Sequence, residues 1–159
     1  MKIGIISDTH LYEVNSHLRE IVKKYFAETD MIIHAGDLVS YDVLQYLQSV
    51  NLEAVRGNMD YPDVQKLLPD KKVISVGSFR IGIIHGWGSP SGIEDRISNQ
   101  FENVHCIVFG HTHNPVNRWK NGVLFFNPGS PTDKRYAREN SVGILEIDDE
   151  IHGHIITIK

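Results

Sequence analysis

The feature that most constrains the fold is an apolar segment that runs into acidic and imidazole side chains within the first ten residues. Residues 3–6, Ile-Gly-Ile-Ile, have the length and β-branched content of a buried strand. Asp8 and His10 follow, at the point where the chain leaves the predicted sheet. An Asp at a strand end is also a common turn residue. In open α/β sheets, however, ligands bind beyond the carboxyl ends of the strands, so this segment also predicts a binding site.

The same arrangement recurs along the chain. Four further apolar segments are each followed by Asp, Asn or His: residues 31–34, 52–55, 79–84 and 104–109. Since ligands collect at the carboxyl ends of such strands, these side chains are expected to form one site. The candidate ligands are Asp8, His10, Asp37, Asn58, His85, His111 and His113.

The segments between these strands predict helices and hairpins. Apolar residues at helical spacing predict helices over residues 16–27, 41–50 and, more weakly, 91–101, with Ser40 as an N-cap. Hairpin turns are predicted at Gly77-Ser78, Asn121-Gly122 and Asp149-Glu150. The strand–helix–strand units at the front require parallel strands with right-handed crossovers. The expected fold is α/β, a four-layer αββα sandwich of two mixed β-sheets flanked by helices.

Composition excludes several classes of protein. The length of 159 residues predicts a single domain, 1–159, and the net charge of -4 gives no support to a nucleic-acid-binding surface. The one cysteine, Cys106, cannot form an intrachain disulfide, which fits a reducing compartment. No apolar segment reaches the roughly 18 residues of a membrane span, and the first predicted strand leaves no room for a signal peptide. We expect a cytoplasmic protein with no membrane contact and no stable nucleic-acid complex, and leave a homo-oligomer open.

The donor types of the seven candidate ligands favour a pair of transition-metal ions. Nitrogen and oxygen donors without cysteine suit Mn, Fe, Ni or Zn, whereas calcium and magnesium prefer oxygen alone. Seven ligands exceed the needs of one open catalytic ion but suit two ions that share a carboxylate. Paired ions about 3.5–4 Å apart activate a water and neutralise phosphoryl oxygens. The set therefore predicts phosphoester hydrolysis.

Other polar residues have simpler interpretations. His34 lies within a strand and is predicted to be a core histidine or one that orients a ligand. The remaining histidines lie outside the strand ends and are treated as ordinary: His17, His105, His152 and His154. The segment 127–130, Asn-Pro-Gly-Ser, is a turn at minimum; whether it also reaches the metal site is left open.

Together the motifs resemble those of the calcineurin-like metallophosphoesterases, particularly the small bacterial and archaeal phosphodiesterases. The matching segments are Asp8-Thr9-His10, Gly36-Asp37, Gly57-Asn58, His85-Gly86, Gly110-His111-Thr112-His113 and Asn127-Pro128-Gly129. The resemblance implies that Asp8, His10 and His113 hold one ion, that Asn58, His85 and His111 hold the other, and that Asp37 bridges them. It also implies that Asp37, Asn58 and His85 are the catalytic residues.

The implied activity is hydrolysis of a small phosphodiester, with a nucleotide as one option, by a metal-bound hydroxide. The expected cofactor is two divalent ions per chain, Mn before Ni, Fe or Zn. Two departures from the family bear on the substrate: Met59 stands where many members have a leaving-group histidine, and Trp87 stands where relatives often have the second histidine of His-Gly-His. A phosphomonoesterase with the same site is one alternative. The other is a non-catalytic scaffold like the family's retromer subunit, whose ligands are partly lost.

Overall fold

The first half of the chain forms parallel strands with helices on one face. The computed structural model describes all residues, 1–159, and here has strands β1 (Lys2–Ile6), β2 (Met31–His34) and β3 (Leu52–Ala54), with helices α1 (Ser16–Tyr25), α2 (Tyr41–Gln48) and α3 (Pro62–Leu67). β1 pairs with β2, and β2 with β3, both in parallel. The carboxyl ends of these three strands therefore lie along one edge.

The second half forms the other sheet. Its elements are β4 (Lys71–Val76), β5 (Phe79–Ile84), α4 (Ile93–Ser98), β6 (Cys106–Val108), β7 (Val116–Lys120) and β8 (Val123–Asn127). β5, β6 and β8 are parallel, and β4 and β7 are the antiparallel edges of the order β4-β5-β6-β8-β7. The last strands, β9 (Ser141–Ile147) and β10 (Ile151–Thr157), return to the first sheet, where β9 lies antiparallel to β1. Both sheets are thus mixed.

Three apolar clusters arrange these elements in four layers. The largest, of fifteen buried residues, fills the space between the sheets and includes Ile5 and Phe126. A second cluster joins α1, α2 and α3 to the outer face of the first sheet, and a third joins α4 to the outer face of the second. The predicted αββα sandwich of two mixed sheets is confirmed.

The differences from the sequence prediction lie at element ends. The first helix ends at Tyr25, because Phe26 leaves helical geometry as its cap, and the weakest predicted helix is limited to Ile93–Ser98. The six-residue α3, which begins at Pro62, was predicted only as a connection. Ser40 is the expected N-cap: its Oγ accepts from the Val43 N–H at 3.4 Å. No helix has the length and apolar content needed to cross a membrane.

Candidate metal centre

The candidate ligands lie at the carboxyl ends of strands from both sheets. β1, β2 and β3 are followed by Asp8 and His10, by Asp37 and by Asn58; β5 is followed by His85, and β6 by His111 and His113. The first sheet thus supplies four of the side chains and the second sheet three. Contacts between residues more than one hundred positions apart, such as His10 with His113, bring the two sets together.

A first group of donor atoms is formed by Asp8, His10 and His113. Asp8 Oδ1 lies 3.3 Å from His113 Nε2 and 3.8 Å from His10 Nε2. The two imidazole nitrogens are 3.2 Å from one another. Three atoms able to bind a cation therefore face one point between the sheets.

A second group consists of Asp8, Asp37 and His85. His85 Nε2 lies 3.3 Å from Asp37 Oδ2, 3.9 Å from Asp8 Oδ1 and 3.1 Å from Asn58 Oδ1. Asp37 Oδ2 also lies 3.7 Å from His10 Nε2, in the first group. Asp8 is therefore common to both groups, and Asp37 reaches a histidine of each.

The shared atom, Asp8 Oδ1, is buried and has no hydrogen-bond partner. The other oxygen, Oδ2, accepts from the Ser7 hydroxyl at 2.7 Å and from the His111 N–H at 3.1 Å. A buried carboxylate oxygen without a partner is costly unless a cation or hydrogen-bond donor satisfies it. With three imidazole nitrogens within 3.9 Å, the unpartnered oxygen is suited to a divalent ion.

The charges of Asp8, His85 and His113 stabilise one another. Burial alone would raise the pKa of Asp8 and lower that of His85 and His113. Hydrogen bonds and opposite charges outweigh burial: they hold the pKa of Asp8 well below its usual range and raise the pKa of both histidines to about 9. Each of these histidines therefore carries a proton at neutral pH that an arriving cation must displace.

His111 belongs to neither group, although its ring packs edge-on against His85 at a centroid distance of 5.4 Å. Its Nε2 lies 2.9 Å from the Gly88 carbonyl oxygen and donates to it, since a carbonyl can only accept. Nδ1 is then the nitrogen that remains for a cation. The structure thus places His111 beside the second group, with one nitrogen already used.

Asp133 is a partner of the site that sequence reasoning missed. Its carboxylate accepts a hydrogen bond from His113 Nδ1 and also accepts from the backbone N–H groups of Arg135, Tyr136 and Ala137. A carboxylate on the far nitrogen fixes the tautomer of a metal-binding histidine. His85 is oriented similarly, because its Nδ1 donates to the Ala35 carbonyl oxygen at 2.8 Å. No motif marks Asp133, which meets His113 only through the loop after the 127–130 turn.

Asp60 holds the loops that carry Asp37 and Asn58. Its oxygens accept from the backbone N–H groups of Asp37 at 3.2 Å, Val39 at 2.6 Å and Gly57 at 2.6 Å. Burial raises the pKa of Asp60. Because both oxygens are engaged with the backbone, the structure does not place Asp60 where it could protonate a leaving group.

The 127–130 turn supports the site from behind. Asn127 Nδ2 donates to the Gly110 carbonyl oxygen at 2.9 Å, and Ser130 Oγ donates to the Asp8 carbonyl oxygen at 2.8 Å. His34 has a similar role: its Nδ1 accepts from the Gly36 N–H at 3.1 Å, and burial lowers its pKa to about 4. These side chains therefore fix the ligand loops, as predicted for His34.

The backbone at the site is strained. Five of the seven candidate ligands have positive φ angles: Asp8 (54°), His10 (47°), Asp37 (59°), His111 (69°) and His113 (57°). Few non-glycine residues adopt this conformation, which costs of order 1–3 kcal/mol each and persists where the surroundings fix it. Such clustering is typical of functional sites.

Comparison with known proteins agrees with this geometry. Residues 1–150 match the calcineurin-like phosphoesterase superfamily domain. The chain belongs to this superfamily. The resemblance seen in its motifs is therefore confirmed.

One similar sequence and two similar structures illustrate the likeness. A probable metallophosphoesterase of Methanocaldococcus jannaschii is 34% identical over 163 residues, covering 100% of this chain and 82% of the relative. An archaeal phosphodiesterase structure superposes with a TM-score of 0.76 at 27% identity, over 98% of this chain and all of the other. Wild-type Vps29 of Entamoeba histolytica, complexed with zinc, has a TM-score of 0.72 at 20% identity over 99% of each chain, which shows the shared fold alone. The chain is thus a homologue of metallophosphoesterases with two candidate Asp/His metal groups.

Proposed function

We propose that this protein is a divalent-metal-dependent phosphodiesterase. The observation that supports the proposal most directly is Asp8 Oδ1, buried without a partner among three imidazole nitrogens. Without metal, protons on His85 and His113 balance the charge of this carboxylate, and a divalent ion would displace them and satisfy the same oxygen.

In this proposal each of the seven strand-end side chains has a role. Asp8, His10 and His113 hold one ion, Asn58, His85 and His111 hold the other, and Asp37 bridges them. Mn is the preferred metal and Ni, Fe or Zn are the alternatives, since the donors are mixed nitrogen and oxygen. When bound, paired ions supply an activated water and positive charge beside the phosphoryl oxygens. The protein's part is to hold the ligands fixed, through Asp133, Asp60 and the 127–130 turn.

The residue after Asn58 determines how the leaving group departs. Met59 exposes 55% of its surface and carries a thioether, which has no proton to donate. Its backbone N–H donates instead to Asp37 Oδ1 at 2.7 Å and so orients the bridging carboxylate. Since Asp60 is engaged elsewhere, the leaving oxygen takes its proton from solvent, and good leaving groups are favoured.

A cavity beside the second group leaves room for a substituent of the phosphate. It has a volume of about 580 Å³, and its wall includes Asn58 and His85. A phosphate bound at those two residues has room for a substituent in the cavity, in addition to the ester bond that breaks. A diester can place either its second substituent or its leaving group there, whereas a monoester has only its leaving group.

The proposal is tested by refilling metal-stripped protein with Mn, Ni, Fe or Zn. Bound metal is counted, and hydrolysis of bis(p-nitrophenyl) phosphate is compared with hydrolysis of p-nitrophenyl phosphate. We expect close to two ions per chain and faster turnover of the diester. Asp148→Asn serves as a control, because it removes one carboxylate in the turn between β9 and β10, outside both metal groups.

Other results would separate the alternatives. Faster turnover of the monoester would identify a phosphomonoesterase. A folded protein that takes up no metal from any of the four solutions would contradict the proposed enzyme activity and favour the non-catalytic scaffold.

A further inference from the structure

The cavity beside the second metal group reaches well beyond the ligands. Besides Asn58 and His85, its wall includes Arg56, Lys71 and Trp87. Only two of its eleven lining residues are hydrophobic, and Trp87 is one of them. The cavity therefore combines one aromatic surface with a polar surround, next to the position where a phosphate would bind.

The backbone of Trp87 is held by hydrogen bonds at the rim of this cavity. Its carbonyl oxygen accepts from Arg96 Nε at 3.2 Å and from Arg96 Nη2 at 2.9 Å. The next carbonyl, of Gly88, accepts from His111 Nε2 at 2.9 Å, which ties the loop directly to a candidate metal ligand. The Trp87 side chain is 45% exposed. The exposed indole, on a backbone segment held two residues from His85, therefore offers a flat face next to the site.

The far wall of the cavity is lined by polar side chains. Arg56 Nε is paired with Asp70 Oδ1 at 2.6 Å, and Arg56 Nη1 donates to the Gln65 carbonyl oxygen at 2.7 Å. Lys71 Nζ donates to the Gln100 carbonyl oxygen at 3.0 Å. Arg56 is paired with one carboxylate, whereas Lys71 has only the neutral oxygens of Gln100 as hydrogen-bond partners. This wall therefore offers hydrogen-bond donors and acceptors to the edge of a heterocycle, beside one unpaired positive charge.

We propose that this cavity binds the nucleobase of a nucleoside substituent, stacked on Trp87, while the phosphate to which it is esterified lies at the metal groups. The inference rests on the proposed function and names the substrate class, a nucleotide diester. Stacking of a base on an aromatic side chain is sequence-tolerant, because every base has a π-face. The subsite accordingly selects for a nucleobase without requiring one particular base.

The test uses the metal-loaded protein and two ligands that differ only in the base, adenosine 5′-monophosphate and ribose 5-phosphate. Trp87 and Trp119 are the two tryptophans of the chain, so Trp119→Phe leaves Trp87 as the sole indole reporter. We expect adenosine 5′-monophosphate to quench Trp87 fluorescence and to bind about tenfold more tightly than ribose 5-phosphate, which should quench little.

Variants assign the effect to the ring. Trp87→Ala should weaken the binding of adenosine 5′-monophosphate about tenfold, measured by calorimetry, and leave the affinity for ribose 5-phosphate unchanged. Trp87→Phe should retain most of the affinity for adenosine 5′-monophosphate. Trp119→Ala is the matched control, because Trp119 is also exposed, at 57%, but lies on β7 outside the cavity. It should change neither affinity.

Equal affinities for the two ligands in the wild-type protein would overturn the subsite. If Trp87→Ala weakened the binding of both ligands equally, the subsite would also be overturned, because that result indicates damage to the loop. Turnover of bis(p-nitrophenyl) phosphate is measured in parallel. If it is present while the two ligands bind equally, the subsite is wrong and the phosphodiesterase stands. If it is absent while Trp87-dependent binding persists, the phosphodiesterase is wrong and the subsite stands.

Discussion

Replacing Asp133 by Asn tests whether the carboxylate behind His113 sets the affinity of one metal group. All four hydrogen-bond partners of the Asp133 carboxylate are donors: Arg135 N–H reaches Oδ1, and His113 Nδ1 and two backbone N–H groups reach Oδ2. The least costly placement of Asn therefore puts its NH₂ group toward Arg135 and keeps a neutral bond to His113. A charged hydrogen bond contributes about 1.5–3 kcal/mol and a neutral one about 0.5–1.5 kcal/mol. The difference of roughly 1–1.5 kcal/mol predicts about a tenfold loss of metal affinity.

The assay is a calorimetric titration of metal-stripped protein with Mn²⁺. One of two binding steps should weaken about tenfold, at the low end of the 10–100-fold range for such partners. Loss of the Asp133 charge also lowers the pKa of His113, so fewer protons compete with the ion at neutral pH and the measured loss should grow toward pH 8. The control is Asp148→Asn, whose carboxylate accepts from the Glu150 N–H, lies outside both metal groups and should leave both steps unchanged. If both steps in Asp133→Asn stay within twofold of wild type, the reasoning is wrong.

Three further predictions concern the same site. Asp37→Asn should abolish turnover and empty one metal position, because it removes one of the two carboxylates that would screen the repulsion between the cations; metal counting that finds two ions, with normal activity, would contradict the bridge. Without metal, the melting temperature should fall between pH 7 and pH 9, because the charge on His85 and His113 stabilises the fold below pH 6.5 and is lost as pH passes the folded pKa of about 9. Scanning calorimetry with chelator checks this, and a flat profile would refute it. Met59→His should raise turnover of alkyl diesters, by up to 10²–10⁴-fold where proton transfer is limiting, and leave p-nitrophenyl diesters nearly unchanged; equal effects on both would refute the leaving-group argument.

The strands and their order at the front of the chain could be predicted because their signals are local. The apolar segments 3–6 and 31–34 are each followed within three residues by an Asp. Each segment therefore predicts both a strand and the end of that strand at which the site forms. Helix ends are less well determined, since Phe26 has a suitable apolar side chain but serves as the cap. The helix at Pro62–Leu67 is too short for a periodic pattern, and only its Pro at the first position indicates it.

The candidate ligands could be predicted, whereas the residues that fix them could not. Asp8 and His113 each lie in a recognisable sequence motif that directly follows a strand. Asp60 and Asp133 act through contacts that depend on the path of loops, over separations of 21–23 residues for Asp60 and 20 for Asp133. An Asp in a polar loop has many possible roles, and neither its spacing nor its neighbours distinguish them. Asp8 belongs to both donor groups because the loops after several strands meet in the folded protein. The order of the motifs along the sequence does not show this.

The division of the site between the sheets affects more than chemistry. Four candidate ligands come from the first sheet and three from the second, and His10 and His113 are 103 residues apart. Ions held here would cross-link the two sheets at one end, so that the sheets could not separate without releasing metal. At a free metal concentration one hundred times the dissociation constant, each ion adds about 2.7 kcal/mol to the free energy of unfolding. The metal supply of the cell would then govern how long the two halves of the sandwich stay together, as well as how fast the protein turns over substrate.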